Sequence, residues 1–107
     1  MVKAIFLDRD GTINELVHGR ENPKHVCPWY YAEFEFIDGV EEAIKKFRSL
    51  GFSLHVVTNQ PDVDDGYTTE EPMDAIHSLI KNKLNVDTIQ AARTRGTEEY
   101  KPKPGML

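Results

Sequence analysis

Residues 2–12 read VKAIFLDRDGT, and this stretch decides the fold class. A short, mostly apolar run stops abruptly at Asp8, which is typical of a strand buried in a sheet. Asp8 and Asp10 lie two positions apart, so alternation along an extended chain points both carboxylates in a similar direction. Two close carboxylates repel each other unless a cation lies between them or one is protonated. The pair therefore indicates either a Mg²⁺ site or an ordinary turn, in which Asp and Gly are common.

The following sequence alternates between helical and extended patterns. A helical repeat follows Asp38, which we expect to cap it, and ends at Gly51. Residues 53–57 (SLHVV) predict a second buried strand, residues 68–71 predict a capping box and a second helix, and residues 87–92 predict a third strand. The order strand–helix–strand–helix–strand predicts an α/β fold with a parallel sheet.

Polar side chains also follow the second predicted strand. Ligands of parallel α/β sheets gather beyond the carboxyl ends of the strands, which draws attention to the residues after each strand. Thr58 and Asn59 offer a hydroxyl and an amide to phosphate oxygens, although both types also cap ordinary loops. Lys101 adds a positive charge within the proline-rich stretch YKPKPG. The acid pair, the threonine and the lysine, in this order, predict a phosphate site.

The chain resembles the N-terminal part of a phosphatase of the haloacid dehalogenase (HAD) superfamily. Within subfamily IIIA it is most similar to the branch of histidinol phosphatases and heptose-bisphosphate phosphatases. The resemblance covers nearly all 107 residues and is carried by AIFLDRDGTIN (4–14), FEFIDGV (34–40), VVTNQ (56–60) and KPKPGML (101–107). It implies one domain over residues 1–107, incomplete at its C-terminus, with a Rossmann-like three-layer parallel sheet truncated after the third strand.

The resemblance also implies an activity, a cofactor and a set of site residues. The activity would be Mg²⁺-dependent hydrolysis of a phosphomonoester through an aspartyl-phosphate, with Asp8 as nucleophile and Asp10 as general acid/base. Thr58, Asn59 and Lys101 match the phosphate-binding motifs. Mg²⁺ would be held by the Asp8 carboxylate and the main-chain carbonyl of Asp10. The substrate would be a small phosphorylated metabolite of the sugar phosphate or histidinol phosphate type.

Three departures from the family pattern limit these expectations. The family's fourth motif, an acidic stretch after a further strand, has no counterpart before Leu107, so we expect this chain alone to hydrolyse phosphate esters poorly. The acids of the 62–65 stretch (DVDD) do not replace it, because they are expected to lie on a solvated loop.

The second departure is the absence of a zinc loop. Residues 92–100 contain no Cys or His, so we predict no zinc. In the same stretch, Tyr100 stands where the sugar-phosphate branch carries an arginine.

The third departure is the segment 15–36, an insertion after the first motif that holds five of the ten aromatic residues. Two interpretations stay open. The insertion is a lid or substrate-contacting loop, with Arg20, Lys24 and His25 as polar contacts. Alternatively, it is an aromatic cluster that pins a long loop onto the sheet.

Composition excludes several classes of protein. A formal net charge of −5 argues against a nucleic-acid partner, and the single Cys27 cannot form an internal disulfide. No apolar run approaches the ~20 residues of a membrane span. We expect a cytoplasmic protein whose partner is a small phosphorylated metabolite, with no nucleic-acid or membrane partner.

Two alternative functions stay open: a receiver-like phosphoacceptor domain and a non-catalytic HAD-like remnant. Receiver domains carry their acceptor on the third strand, whereas Asp8 closes the first. If the chain ends at Leu107, the family's pairing leaves the strand at 2–7 without a neighbour on one side. We therefore expect self-association through the exposed sheet edge.

Overall fold

A computed structural model describes residues 3–92, whose elements follow the predicted order. They are β1 (Lys3–Leu7), α1 (Val40–Ser49), β2 (Phe52–Asn59), α2 (Glu70–Leu84) and β3 (Thr88–Ala92). A 3₁₀ turn (Tyr31–Glu33) lies in the long connection between β1 and α1. Within the described residues, no helix has the length and apolar character needed to cross a membrane.

The three strands form a parallel sheet in the order β1-β2-β3. β1 ends with Leu7 opposite Val56, while β2 continues until Asn59 lies opposite Ala92 of β3. The chain that leaves β1 therefore passes the last residues of β2. This register brings the first motif and the end of β2 to the same edge of the sheet, as the sequence predicts.

Both helices pack on one face of the sheet through a shared apolar core. On α2 the buried residues Ile76, Ile80 and Leu84 recur every fourth position, which is the spacing of a helix with one apolar face. The buried members of the core are Ile13, Ile44, Leu54, Val56, Ile76, Ile80, Leu84 and Val86. Packing of α1 and α2 against the same alternate residues of β2 fixes both helices relative to the sheet.

Both helices begin differently from the prediction. α1 follows Gly39 in a left-handed conformation (φ 86°), and Asp38 is not its cap. Glycine adopts this conformation without a Cβ clash, so the chain enters the helix without a capping side chain. α2 follows Thr69, which makes no side-chain cap. The Thr68 hydroxyl donates to the main-chain oxygen of Trp29 (2.6 Å), so the predicted capping box is wrong.

β1 is an edge strand of the described sheet, and the prediction of a buried strand is wrong for one of its faces. Ile5 and Leu7 pack against the core. Phe6 points to the opposite face, is 50% exposed and stacks on His55 with ring centroids 5.3 Å apart. The two described helices cover the face that carries Ile5 and Leu7, which explains the asymmetry.

Candidate functional site at the strand ends

The first motif leaves β1 through a tight turn. The carbonyl oxygen of Arg9 accepts the main-chain N–H of Ile13 at 2.8 Å, and Gly11 adopts a positive φ of 83° within the turn. Asp8 is exposed at the strand end, where its Oδ1 accepts the main-chain N–H of Arg9 at 2.9 Å. The turn places Asp10 beside the end of β2.

Asp10 lies at the centre of a hydrogen-bond network. Its Oδ1 accepts Nε–H and Nη2–H of Arg9 (3.1 and 2.9 Å) and Nδ2–H of Asn14 (3.1 Å). Its Oδ2 accepts Nε2–H of Gln60 at 2.8 Å. The Asp10 side chain is 17% exposed. Four N–H donors from three side chains therefore orient a carboxylate that still reaches the surface.

Gln60 joins Asp10 to the end of β2. The same Gln60 amide nitrogen lies 2.8 Å from Oγ1 of Thr58, and both residues are buried. β2 extends to Asn59 rather than ending at Val57 as predicted, because its pairing with β3 continues and the Gln60 N–H donates to the Ala92 carbonyl at 2.7 Å. Thr58 thus belongs to the strand and not to a loop.

A groove of about 350 Å³ opens beside Asp10. Asn59 lines the groove near the strand ends, and Lys24 lines it from the 15–36 insertion. The structure thus brings together Asp10, Thr58 and Asn59 of the predicted site. Lys101, the remaining predicted phosphate ligand, lies outside the described residues.

Arg20 holds the insertion in shape. Its Nη1 donates to the main-chain oxygens of His25 (2.9 Å) and Cys27 (2.6 Å), and its Nη2 pairs with Oε1 of Glu33 at 2.8 Å. The guanidinium also lies 3.7 Å above the Trp29 ring. Of the three polar contacts predicted for a substrate, Arg20 is therefore engaged within the protein.

The aromatic residues of the insertion fall into separate groups. Trp29 stacks on Tyr67 of the β2–α2 loop, with ring centroids 5.3 Å apart and an interplanar angle of 11°. Phe34 and Phe36 contact each other edge to face and pack against the core. The insertion is thus anchored on the core and on the β2–α2 loop.

Asp62 is buried, so the prediction of a solvated acidic loop is wrong at this residue, whereas Asp64 and Asp65 are exposed. Oδ2 of Asp62 accepts Nε1–H of Trp29 (2.7 Å) and the S–H of Cys27 (3.1 Å). Oδ1 lies 3.4 Å from Nδ1 of His25. We call His25, Cys27, Trp29 and Asp62 the Asp62 cluster.

The pKa values within this cluster follow from its contacts. Burial by itself would raise the pKa of Asp62, but the Trp29 N–H, the Cys27 S–H and His25 outweigh it and hold the pKa below its ordinary value of 3.8. Burial, followed by the hydrogen bond to Asp62, raises the pKa of the Cys27 thiol to about 12. Cys27 is therefore a thiol at neutral pH and not a nucleophile. Asp62 is a structural carboxylate with both oxygens engaged.

The donor atoms at the strand ends fit Mg²⁺ in type. Among residues 3–92, no cluster of three or more His, Cys, Asp and Glu side chains could hold a metal ion. The exposed Asp8 carboxylate and the Asp10 carbonyl are oxygen donors, and Mg²⁺ commonly combines one or two carboxylates with water and phosphate oxygens. Because N–H groups surround the Asp10 carboxylate, its carbonyl is the better candidate ligand.

Solved structures identify the class of fold. The structure matches D,D-heptose 1,7-bisphosphate phosphatase from B. bronchiseptica, crystallised with magnesium and phosphate, with a TM-score of 0.79, 26% identity, and coverage of 97% of this chain and 59% of that chain. A protein from Mesorhizobium loti described as a HAD-like phosphatase matches with a TM-score of 0.77, 29% identity, and coverage of 99% and 54%. The chain therefore has a Rossmann-like, HAD-like fold and is similar in sequence and structure to these two phosphatases.

Within this class, the chain is similar to D-glycero-β-D-manno-heptose-1,7-bisphosphate 7-phosphatases. It is 37% identical to the Pasteurella multocida enzyme, over 100% of this chain and 61% of the relative. It is 38% identical to the Escherichia coli K12 enzyme, over 99% of this chain and 59% of the relative. The chain thus spans about three fifths of the length of these relatives. No protein-family model matches it.

Sequence reasoning missed the residues that hold Asp10, namely Arg9, Asn14 and Gln60. The position of Arg9 could have been predicted from the sequence. In an extended chain, residues 5, 7 and 9 point to the same face, and Ile5 and Leu7 face the helices. For Asn14 and Gln60 no comparable signal exists, because their contacts depend on how the turn after β1 meets the end of β2.

Proposed function

We propose that the chain is the part of a Mg²⁺-dependent phosphomonoester hydrolase that forms an aspartyl-phosphate on Asp8. The observation that supports this most directly is the link from Asp10 through Gln60 to Thr58, at the carboxyl ends of adjacent parallel strands. Asp8 lies exposed at the same edge. The homology to phosphatases supports the same chemistry.

In the first step a carboxylate oxygen of Asp8 attacks the phosphorus atom of the ester. A bond forms between Asp8 and phosphorus, the bond from phosphorus to the ester oxygen breaks, and Asp10 gives a proton to the departing oxygen, which leaves as an alcohol. In the second step Asp10 takes a proton from water as the water oxygen attacks phosphorus. Inorganic phosphate leaves, and Asp8 is regenerated together with a protonated Asp10. Covalent catalysis of this kind divides one difficult displacement into two easier ones.

Oδ2 of Asp10 is the atom that moves the proton. Among the described residues, Oδ1 accepts three N–H donors and Oδ2 accepts one, from Gln60. A carboxylate has about four lone-pair sites on its two oxygens, so Oδ2 retains the capacity to bind a proton. A proton held there would be transferred from a carboxyl group whose other oxygen is fixed.

Phosphate binding falls to Thr58, Asn59 and Lys101, with Mg²⁺ held by the Asp8 carboxylate and the Asp10 carbonyl. When bound, Mg²⁺ would supply positive charge against the transferring phosphoryl group. Thr58 would offer its hydroxyl from a position fixed by Gln60. Lys101 is assigned from the sequence pattern alone.

The substrate proposed is a small sugar phosphate. The groove beside Asp10 offers room for the leaving alcohol, and Asn22, Lys24 and Asn59 line it with groups that suit hydroxyls or a second phosphate. The relatives named as heptose-bisphosphate phosphatases support a sugar over a histidinol phosphate. Cytoplasmic location, self-association and a lid role for residues 15–36 stay predictions.

The test is to trap the phosphorylated residue. The chain is incubated with Mg²⁺ and a sugar bisphosphate or acetyl phosphate, reduced with borohydride, and mapped by mass spectrometry for conversion of an aspartate to homoserine. We expect conversion at Asp8, its loss in Asp8→Asn, and no effect of Asp38→Asn, an exposed aspartate at the start of α1.

Release of inorganic phosphate, measured in parallel, separates the alternatives. A phosphatase labels Asp8 and releases phosphate repeatedly. A receiver-like domain accepts phosphate from acetyl phosphate and does not turn over sugar esters. A non-catalytic remnant does neither, and that outcome would overturn the proposal for this chain.

A further inference from the structure

Arg9 carries a permanent positive charge although its exposed fraction is 1%. A buried guanidinium is costly unless its donors are paired. Nε and Nη2 of Arg9 both donate to Oδ1 of Asp10, at 3.1 and 2.9 Å. Nη1 lies 2.9 Å from Nε2 of His77. The guanidinium therefore sits between the proposed acid/base and helix α2.

His77 can serve Arg9 only as an acceptor. A guanidinium nitrogen donates hydrogen bonds and accepts none, so Nε2 of His77 must present its lone pair. His77 follows Ile76 on α2, and both Ile76 and Ile80 are buried in the core against the sheet. The position of the imidazole is thus set by the packing of the helix.

We propose that Arg9 is a positioning residue for Asp10 and that His77 anchors Arg9 from α2. The inference rests on the proposed function, because it gives Arg9 a part in proton transfer by Asp10. Two donors from one rigid, planar group fix Oδ1 in both distance and direction. Oδ2 is then the oxygen left to exchange a proton with the substrate.

A purely structural Arg9 would behave differently. A buried ion pair adds little net stability compared with a well-packed apolar pair. Removing one partner is nevertheless destabilising, because it leaves the other as a buried, unpaired charge. Loss of stability alone would lower the amount of folded protein and reduce turnover of every substrate equally. A positioning role instead predicts that the rate of Asp8 phosphorylation falls most for esters whose leaving group needs a proton.

Leaving-group dependence provides the kinetic test, with the full chain as reference. Glycerol phosphate has an alkoxide leaving group that needs a proton, whereas the leaving group of p-nitrophenyl phosphate does not. In Arg9→Gly we expect kcat on glycerol phosphate to fall about 10–100-fold with little change in KM. The initial burst of p-nitrophenolate, which reports phosphorylation of Asp8, should change much less.

Rescue by conservative groups sharpens the test. Guanidinium ion at non-denaturing concentration should restore part of the lost rate in Arg9→Gly. It should have no effect on Arg48→Gly, a control whose native guanidinium pairs with Asp87 at 3.5 Å. His77→Gln, which keeps an acceptor, should retain more activity than His77→Leu. Equal loss in the rate of Asp8 phosphorylation by the two esters, without guanidinium rescue, would overturn the positioning role.

A measurement without turnover keeps the two proposals distinguishable. NMR hydrogen exchange of the Arg9 Nε–H should be slow in the wild-type chain and faster in Asp10→Ala. Fast exchange in the wild type would overturn the contact on which the inference rests. A wild-type chain that shows slow exchange and no trapped phosphate at Asp8 would instead overturn the proposed function, and the kinetic part of this inference with it.

Discussion

Replacing Asp62 with Asn should weaken the docking of the insertion onto the β2–α2 loop. The change keeps the size of the side chain and turns one of its two acceptor oxygens into an NH₂ group. Trp29 and Cys27 both donate to Oδ2, and His25 faces Oδ1. If the amide oxygen takes the Oδ2 position, Trp29 and Cys27 keep an acceptor but lose its negative charge; in the other orientation both lose the acceptor itself.

The burial of Asp62 determines how much stability the substitution should cost. Asp62 is 5% exposed, so water does not replace a lost partner. A hydrogen bond to a charged group contributes about 1.5–3 kcal/mol, and a buried donor left unsatisfied costs a similar amount. We therefore expect Asp62→Asn to lower the free energy of unfolding by about 2 kcal/mol. For a domain of this size that corresponds to a fall in Tm of roughly 8–16 °C.

Tryptophan fluorescence is the appropriate assay, because Trp29 is the one tryptophan of the sequence and belongs to the Asp62 cluster. Urea unfolding followed by Trp29 emission and by far-UV circular dichroism reports the cluster and the whole fold separately. Asp38→Asn is the control, since Asp38 is exposed and makes no cap to α1. Equal midpoints for Asp62→Asn and Asp38→Asn would refute the argument.

The same carboxylate gives a pH dependence with a definite sign. The folded state holds the pKa of Asp62 below 3.8, so the stabilisation is complete above the ordinary pKa and is lost as the pH falls through the lowered value. The difference in stability between wild type and Asp62→Asn should therefore shrink below about pH 4. A difference that grows on acidification would contradict the assignment.

Three further outcomes are expected. Because the pKa of Cys27 is raised to about 12, a thiol reagent should modify it far more slowly in the native chain than in urea, and equal rates would contradict its contact with Asp62. Lys24→Met should raise KM for a sugar bisphosphate roughly 2–5-fold with kcat little changed, whereas Lys45→Met on α1 should not. If the sheet edge drives self-association, Phe6→Lys should shift the chain towards the monomer in light scattering, and a wild-type chain that is already monomeric would disprove it.

The order and type of the elements could be predicted because apolar periodicity reports them directly. The α1 repeat and its end at Gly51, which adopts φ 91°, are examples. The starts of the helices could not be predicted. Gly39 precedes α1 although Asp38 has the stronger capping chemistry, and Thr69 precedes α2 although its neighbour Thr68 offers an identical side chain. The Thr68 hydroxyl does not cap α2, because it donates to the main-chain oxygen of Trp29 in the insertion.

Part of the candidate site could also be predicted from the apolar pattern of the sequence. A strand that ends in Asp8 reveals its position through hydrophobic pattern, and adjacency to Thr58 follows from parallel topology. Burial of Asp62 follows from neither, because it depends on Trp29 and Cys27, which lie more than thirty residues earlier in the sequence. Composition alone makes the 62–65 stretch look solvated.

Asp10 and Asp62 line the same groove, yet their surroundings suit them to different tasks. Asp62 is nearly inaccessible, with donors on both oxygens and a lowered pKa, so protonating it means breaking the contacts that dock the insertion. In Asp10 the donors are concentrated on Oδ1, the side chain reaches the surface, and Oδ2 accepts a single described donor. A group that transfers a proton needs an oxygen with a spare lone pair and access to the substrate. The hydrogen bonds to its other oxygen hold the group in a fixed position relative to the substrate. By this criterion we infer that Asp62 shapes the groove and propose that Asp10 acts in it.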